Sequence, residues 1–212
     1  MGFEGFVFYV DDDFNESTPG WNVTCFDNIQ NAVDVAVDGD TVFVYSGFYS
    51  DFYGKHNSYV FIDKKINLIG EDKYTTIIDG ANNYDIVHIF ADDIIISGFT
   101  IQNSGNYTEG GALFDAGFEI HSDFNTIQNN IISNHPLYCI NFWASKGNNI
   151  SYNLITRCNR SGIDFLAGPN NIISNNMICN NYVGISALGS SNFKDNILSY
   201  NTFINNNKKI HK

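Results

Sequence analysis

An asparagine-led apolar unit returns at near-constant spacing through the second half of the chain. Asn129-Asn130-Ile131-Ile132-Ser133-Asn134 is followed by Tyr152-Asn153-Leu154-Ile155-Thr156, by Asn175-Asn176-Met177-Ile178-Cys179-Asn180 and by Asp195-Asn196-Ile197-Leu198-Ser199. The steps from Ile131 to Leu154 and on to Met177 are 23 residues each, and Met177 to Ile197 is 20. A second track, Cys139-Ile140-Asn141-Phe142, Gly162-Ile163-Asp164-Phe165 and Gly184-Ile185-Ser186-Ala187, runs at 23 and 22. A third joins Asn125-Thr126-Ile127, Asn149-Ile150-Ser151, Asn171-Ile172-Ile173 and Asn192-Phe193-Lys194. Three short apolar runs per period, each closed by Asn or Gly, cannot make a helix pair; they make one triangular turn of a β-solenoid. Each turn has too little core of its own. Coils therefore stack at about 4.8 Å and bury aligned Ile, Leu, Val and Phe, with corner asparagines bonding from coil to coil.

Composition agrees. The chain has 31 Asn, 23 of them after residue 100, beside 18 Gly and 3 Pro. Asn tolerates the left-handed backbone conformation and bonds its own chain, so this density belongs to tight turns. With 43% hydrophobic and 15% aromatic residues the chain is not disordered. Its 23 acidic against 11 basic residues, net −12, argue against nucleic acid or an anionic membrane surface as partner. No apolar stretch approaches the roughly 20 residues of a membrane span.

The first half follows the same logic less regularly. Thr41-Val42-Phe43-Val44-Tyr45, Ile66-Asn67-Leu68-Ile69, Thr76-Ile77-Ile78, Ile86-Val87-His88-Ile89 and Ile94-Ile95-Ile96 read as strands. Before them, apolar residues at 29, 32, 33, 36 and 37 predict an amphipathic helix with Asp27 as N-cap and Gly39 as stop. The repeats over residues 40–207, the helix and the following Val37-Asp38-Gly39-Asp40-Thr41-Val42 resemble right-handed parallel β-helix proteins of the pectate-lyase-like class. The short coils resemble especially the repeats of NosD-type and archaeal surface proteins. That resemblance implies the right hand of the solenoid and a helix that plugs the open end of its core.

The expected architecture is all-β and one structural domain: an N-terminal strand and capping helix over 1–40, a parallel β-helix of about 7–8 coils over 41–207, and a polar tail over 208–212. No second amphipathic cap follows residue 207, so the expectation is that the chain continues or that a neighbour covers this end. Self-association through the β-helix ends, or through a strand at Phe3 to Val10 lent to a neighbour, is the partner expectation. Met1-Gly2-Phe3-Glu4-Gly5 has no basic n-region, so the chain reads as a mature or excised segment of an extracellular or cell-surface protein. Glycosylation sequons at Asn15, Asn22, Asn106, Asn149 and Asn159 favour export. Cys25, Cys139, Cys158 and Cys179 allow three full pairings and lack the CxxC spacing of a zinc site.

Candidates for chemistry are few. Asp11, Asp12 and Asp13 offer the hard oxygens calcium prefers, against the simpler reading of a solvated turn. Asp92-Asp93 pairs two carboxylates, yet neighbouring strand residues point to opposite faces. The resemblance brings polysaccharide lyases and polygalacturonases into view. The polygalacturonase signatures Asn-Thr-Asp, Gly-His-Gly and Arg-Ile-Lys are absent, whereas a lyase needs a strong base. The two arginines, Arg157 and Arg160, together with Asp164, are the catalytic candidates. The five histidines show no ligand spacing, and His88 reads as facing solvent or a corner, so no metal site is expected beyond calcium. Phe48, Tyr49, Phe52, Tyr53 and Trp143 are the glycan-binding candidates, since flat rings flanked by Asn and Asp suit sugar faces. The leading expectation is a non-catalytic, self-assembling surface module with glycan binding. The alternative is a carbohydrate-active lyase or hydrolase. A groove with converging carboxylates and a base would favour the enzyme, and an even Asn and Ser ladder the module.

Overall fold

The computed structural model describes residues 5–50, 58–106, 108–109, 112–113, 115–187, 193 and 195–211. They form a right-handed parallel β-helix of three faces. The first face stacks Thr41–Val44, Asn67–Gly70, Ile95–Ser97, Thr126–Gln128, Asn149–Ser151, Ile172–Ser174 and Ile197–Ser199, with Val7–Val10 and then Cys25–Phe26 added at the N-terminal edge. The second stacks Gly47–Tyr49, Thr76–Asp79, Thr100–Gln102, Ile131–His135, Leu154–Cys158, Met177–Cys179 and Thr202–Ile204. The third stacks Ser58–Ile62, Asp85–Ile89, Ala116–Ile120, Tyr138–Phe142, Ser161–Phe165, Val183–Ala187 and Lys208–His211. Each face thus contributes one strand to each of seven coils. In the third coil the antiparallel pair Thr108–Glu109 and Ala112–Leu113 intervenes between the second and third faces.

The core is a set of inward rows set by strand register. Leu68, Ile96, Ile127, Ile150 and Ile173 line one; Ile78, Ile101, Ile132, Ile155 and Ile178 the next; Val87, Phe118, Ile140, Ile163 and Ile185 the third. All fifteen are at most 2% exposed, so each contributes about 1.5–3 kcal/mol of apolar burial. Phe142 and Phe165 stack at 4.6 Å inside the same core, so Phe142 is not a surface ring.

Asparagine builds the corners in a two-residue device. A residue with positive φ turns the chain: Asn129 (55°), Tyr152 (58°), Asn175 (57°) and Tyr200 (56°) do so between the first two faces. The next residue is an inward Asn whose Oδ1 accepts the backbone N–H of the preceding coil's Asn, as Asn153 does from Asn130 (2.9 Å) and Asn176 from Asn153 (2.9 Å). Its Nδ2 donates to a strand carbonyl, as in Asn153 to Ile127 (2.9 Å). Asn125, Asn148, Asn171 and Asn196 repeat the device between the third face and the first. These bonds satisfy backbone groups that the turn would otherwise leave buried and unpaired.

The N-terminal end is closed by a helix, Ile29–Val35. Its N-cap is Asn28 rather than Asp27: the Asn28 carbonyl oxygen of the side chain accepts from Gln30 N (2.8 Å) and Asn31 N (3.2 Å). The helix stops earlier than Gly39, at an extended Ala36, because Lys64 Nζ gathers the terminal carbonyls of Val33, Asp34 and Ala36. Buried Gln30 pairs with the edge of the first third-face strand, its Oε1 accepting from Phe61 N (2.7 Å) and its Nε2 donating to Phe61 O (3.2 Å). The helix therefore covers both the core and the open sheet edge.

Three sequence readings change. Ile197 pairs with Ile172, and it is Thr202 that pairs with Met177, so the step from Met177 to Ile197 crosses from the second face to the first. In the last four coils a corner Asn stands at two corners only five residues apart (125 and 130, 148 and 153, 171 and 176, 196 and 201), and the sixth coil is longer than the fifth. For the same reason the third corner track runs through Asn148 and Asn196, not Asn149 and Asn192. Residues 208–211 are not a tail: Lys208–His211 is the seventh strand of the third face, with Val183 opposite Lys208 and Ser186 opposite His211.

Candidate functional site

The third face carries an unusual outward row. Strand register sets Phe61, His88, Glu119, Asn141, Asp164, Ser186 and His211 one above another. Five consecutive polar side chains follow from His88 to Ser186, and Glu119 (4%), Asn141 (0%), Asp164 (2%) and Ser186 (6%) are buried. Buried polar groups are ordinarily bonded. Here both amide atoms of Asn141 and Oδ2 of Asp164 have no hydrogen-bond partner among the described residues. Asp164 Oδ1 accepts from the Ser186 hydroxyl, which in turn lies 2.8 Å from the Ser161 hydroxyl. Burial raises the Asp164 carboxyl above the ordinary range, opposed by the Ser186 bond and the nearby Arg160 charge.

A cavity of about 540 Å³ opens beside this end of the row, lined by Leu137, Asn159, Arg160, Ser161, Asp164, Tyr182, Ser186, Lys208 and His211 among others. That volume falls in the range of small-ligand sites. Arg160 reaches it from the turn before Ser161–Phe165, its guanidinium carbon 5.6 Å from the Tyr138 ring centroid. Tyr182, 54% exposed, stands at the rim.

The other end of the row gathers imidazoles. His121 Nε2 lies 3.4 Å from Glu119 Oε1, and His88 Nε2 lies 3.8 Å from Glu119 Oε2. The three ligand atoms lie within 4.8 Å of one another. The His121 ring is nearly parallel to Phe90 (4.6 Å, 7°) and to Trp143 (5.5 Å, 8°), while His88 packs edge-on against Phe61 at 5.9 Å. Burial alone would raise the Glu119 carboxyl, but the neighbouring His121, Asp85 and His88 side chains bring it below the ordinary value. Asp85 goes the other way, well up, through its own burial and its bond to Glu119.

The candidates named from sequence separate. Arg160 and Asp164 line one cavity. Arg157 does not join them; it sits exposed at the preceding corner with φ 57°, as a turn residue. Trp143 is half-buried against His121, and Phe48 is 52% exposed on the first coil. Tyr49 occupies an inward row position, 7% exposed, with its hydroxyl donated to Tyr45 O, and offers no sugar platform. Phe52 and Tyr53 lie outside the described residues. Asp12 accepts the Phe48 N–H and Asp11 that of Asp13, so both brace turns. Asn15 likewise accepts from Ser17, Asn149 is half-buried, and Asn22, Asn106 and Asn159 are exposed. Asp93 pairs with Lys65 at 2.9 Å and Asp92 accepts from Asp123 N, so these two do not converge.

The sequence reading missed His88, Glu119 and His121. His88 does not face open solvent or a corner but stands on the third face. His88 and Glu119 are in register only because the third coil adds 31 residues, as the Asp85 bond to Ala116 shows, against 23 in the regular coils. A period of 23 cannot bring them together.

The family model described as "Periplasmic copper-binding protein (NosD)" matches residues 33–212. No curated protein sequence matches the chain. Among solved structures, the Azotobacter vinelandii mannuronan C-5 epimerase AlgE6 A-module aligns at 14% identity and TM-score 0.36, over 84% of this chain and 70% of that one. The AlgE4 A-module from the same organism aligns at 13% and 0.37, over 95% and 97%.

Proposed function

The chain belongs to the NosD family, and we propose that it is a non-catalytic, saccharide-binding β-helix module working outside the cytoplasm, with the cavity over Asp164 as its site. One observation carries this reading. Asp164 is buried in the cavity wall with one carboxylate oxygen bonded to Ser186 and the other unpaired among the described residues. Leaving such an acceptor unbonded costs about 1–3 kcal/mol, a cost that a ligand hydroxyl would remove. Around it stand donors (Arg160, Lys208), groups that both donate and accept (Ser161, Ser186, Asn159) and the flat ring of Tyr182. Sugar hydroxyls also donate and accept, and sugar faces stack on rings.

Asp164 is the one carboxylate among the described lining residues, and glycoside hydrolysis uses two across the scissile bond. That favours binding over hydrolysis. The family's description as periplasmic and the Cys139–Cys158 disulfide both support an oxidising compartment. No helix among the described residues is long and apolar enough to cross a membrane.

The family description also names copper. Soft donors for Cu(I) do not gather among the described residues: Cys139 and Cys158 are bonded to each other, and Cys25 and Cys179 stand on different faces many coils apart. The two imidazoles and the carboxylate of His88, His121 and Glu119 do fit Cu(II). A bound ion there would supply a Lewis-acidic centre with open positions.

Calorimetric titration with a panel of neutral and charged oligosaccharides tests the binding reading. The expected result is binding that Arg160→Ala and Asp164→Asn weaken about tenfold or more and that Arg157→Ala leaves unchanged. No binding across the panel, or equal loss with Arg157→Ala, would remove the cavity from the account.

A further inference from the structure

We propose that His88, Glu119 and His121 form an open binding site for one late first-row divalent ion of the copper(II) and zinc(II) class. The carrying observation is a pair of distances. Charged imidazole–carboxylate hydrogen bonds run at about 2.7–2.9 Å. The nitrogen–oxygen pairs here are 3.4 and 3.8 Å apart, too long for that, and His121 Nε2 is buried without a hydrogen-bond partner among the described residues. Two ligands held about 2.1 Å from one metal at a tetrahedral angle stand about 3.4 Å apart. The His121–Glu119 pair has that spacing, and with the His88 nitrogen all three ligand atoms lie within 4.8 Å of one another, close enough for one cation to be held between them.

The scaffold fixes them in advance. His88 and Glu119 are paired rungs of adjacent third-face strands, and His121 lies just past the end of the Glu119 strand. The His121 plane is held between Phe90 and Trp143, and His88 is wedged against Phe61 and Phe90. Aromatic packing of this kind orients imidazoles before an ion arrives, which reduces the ordering cost of binding. The donor set is two nitrogens and an oxygen, which suits copper(II) and zinc(II) rather than calcium or magnesium. Three protein ligands leave at least one position open for water or an external group, unlike a closed structural site. The net charge of −12 also draws cations to the surface.

The arrangement supplies its own reporter. Trp143 stacks on His121 at 5.5 Å, and the chain's other tryptophan is Trp21. In a Trp21→Phe background, copper(II) is expected to quench Trp143 fluorescence in a saturable one-to-one titration, with zinc(II) competing. Electron paramagnetic resonance of the copper(II) form should show coupling to two imidazole nitrogens. Glu119→Gln, His88→Asn and His121→Asn should each weaken binding by about tenfold or more, and Asp195→Asn, at an exposed position outside the cluster, should not. Circular dichroism checks that each variant is folded. If the histidine variants do not fold, the nitrogen count in the unaltered chain and the near-isosteric Glu119→Gln decide alone. No saturable quenching, no nitrogen coupling, or unchanged affinity in the His88→Asn/His121→Asn double variant would overturn the site. A failed saccharide panel leaves this outcome untouched, since the cavity over Asp164 is not used.

Discussion

His135 makes with its two ring nitrogens the bonds that Asn181 makes with its side-chain amide two coils further on. Nδ1 of His135 accepts the Ser104 N–H (3.3 Å) and Nε2 faces the Ile101 carbonyl (3.2 Å). Oδ1 of Asn181 accepts the Cys158 N–H (2.9 Å) and its Nδ2 donates to Ile155 O (3.2 Å). The match assigns the tautomer: His135 is neutral with its proton on Nε2. It is an asparagine substitute in the corner ladder between the second and third faces, with Asn206 continuing the ladder beyond Asn181.

A pH dependence follows. Complete burial pushes the His135 imidazole down from 6.5 to about 4. Between those values the unfolded chain binds the proton and the folded chain does not, so stability falls as pH drops from about 6.5 to about 4 and levels off below. The loss is on the order of 3 kcal/mol. Urea denaturation at pH 7, 5.5 and 4 should show it, and His135→Asn should flatten the profile in that window.

The inward corner asparagines are expected to be costly to truncate. Asn176 is 1% exposed, and its side chain accepts from Asn153 N and donates to Ile150 O. Asn176→Ala removes both bonds and leaves a buried backbone N–H unpaired, for a loss of about 2–4 kcal/mol. Asn159→Ala, at an exposed position, should change stability by less than about 0.5 kcal/mol. Chemical denaturation of the two variants side by side measures the difference.

At the turning position the expectation reverses. Tyr152 and Tyr200 hold φ of 58° and 56° while 63% and 86% exposed. A bulky residue pays about 1 kcal/mol there that Asn or Gly does not. Tyr152→Asn should therefore raise the midpoint of thermal unfolding. A fall would mean that packing of the ring outweighs backbone strain.

The Cys139–Cys158 disulfide closes a 19-residue separation across adjacent coils. Its loss, in the Cys139→Ala/Cys158→Ala double variant, should cost about 3 kcal/mol by the chain-entropy relation. Cys179 is 8% exposed, so it should resist alkylation in the native chain and react after unfolding, which mass spectrometry reads directly.

Much of this fold is written locally. The corner pairs Asn129-Asn130, Tyr152-Asn153 and Asn175-Asn176 each give the left-handed turn and then the ladder residue, so coil length and core rows follow from spacing. The helical stripe over 29–37 marks the cap, although its true N-cap was one residue away, because Asp27 and Asn28 are chemically equivalent choices. What spacing cannot show is register across irregular coils. His88 meets Glu119, and Thr202 rather than Ile197 meets Met177, only once the longer third and sixth coils are threaded. Of the candidate site, Arg160 and Asp164 were legible because they share one turn and one strand. Tyr49 was misleading because the inward and outward rows of a three-residue strand look alike from sequence.

The most direct test of the saccharide site is a crystal structure of the chain soaked with the tightest-binding oligosaccharide of the panel. The expected density lies in the cavity beside Arg160 and Tyr182, with a sugar hydroxyl within hydrogen-bond distance of Asp164 Oδ2. Sugar bound on another face, or Asp164 Oδ2 already bonded to protein groups with the cavity empty, would contradict it.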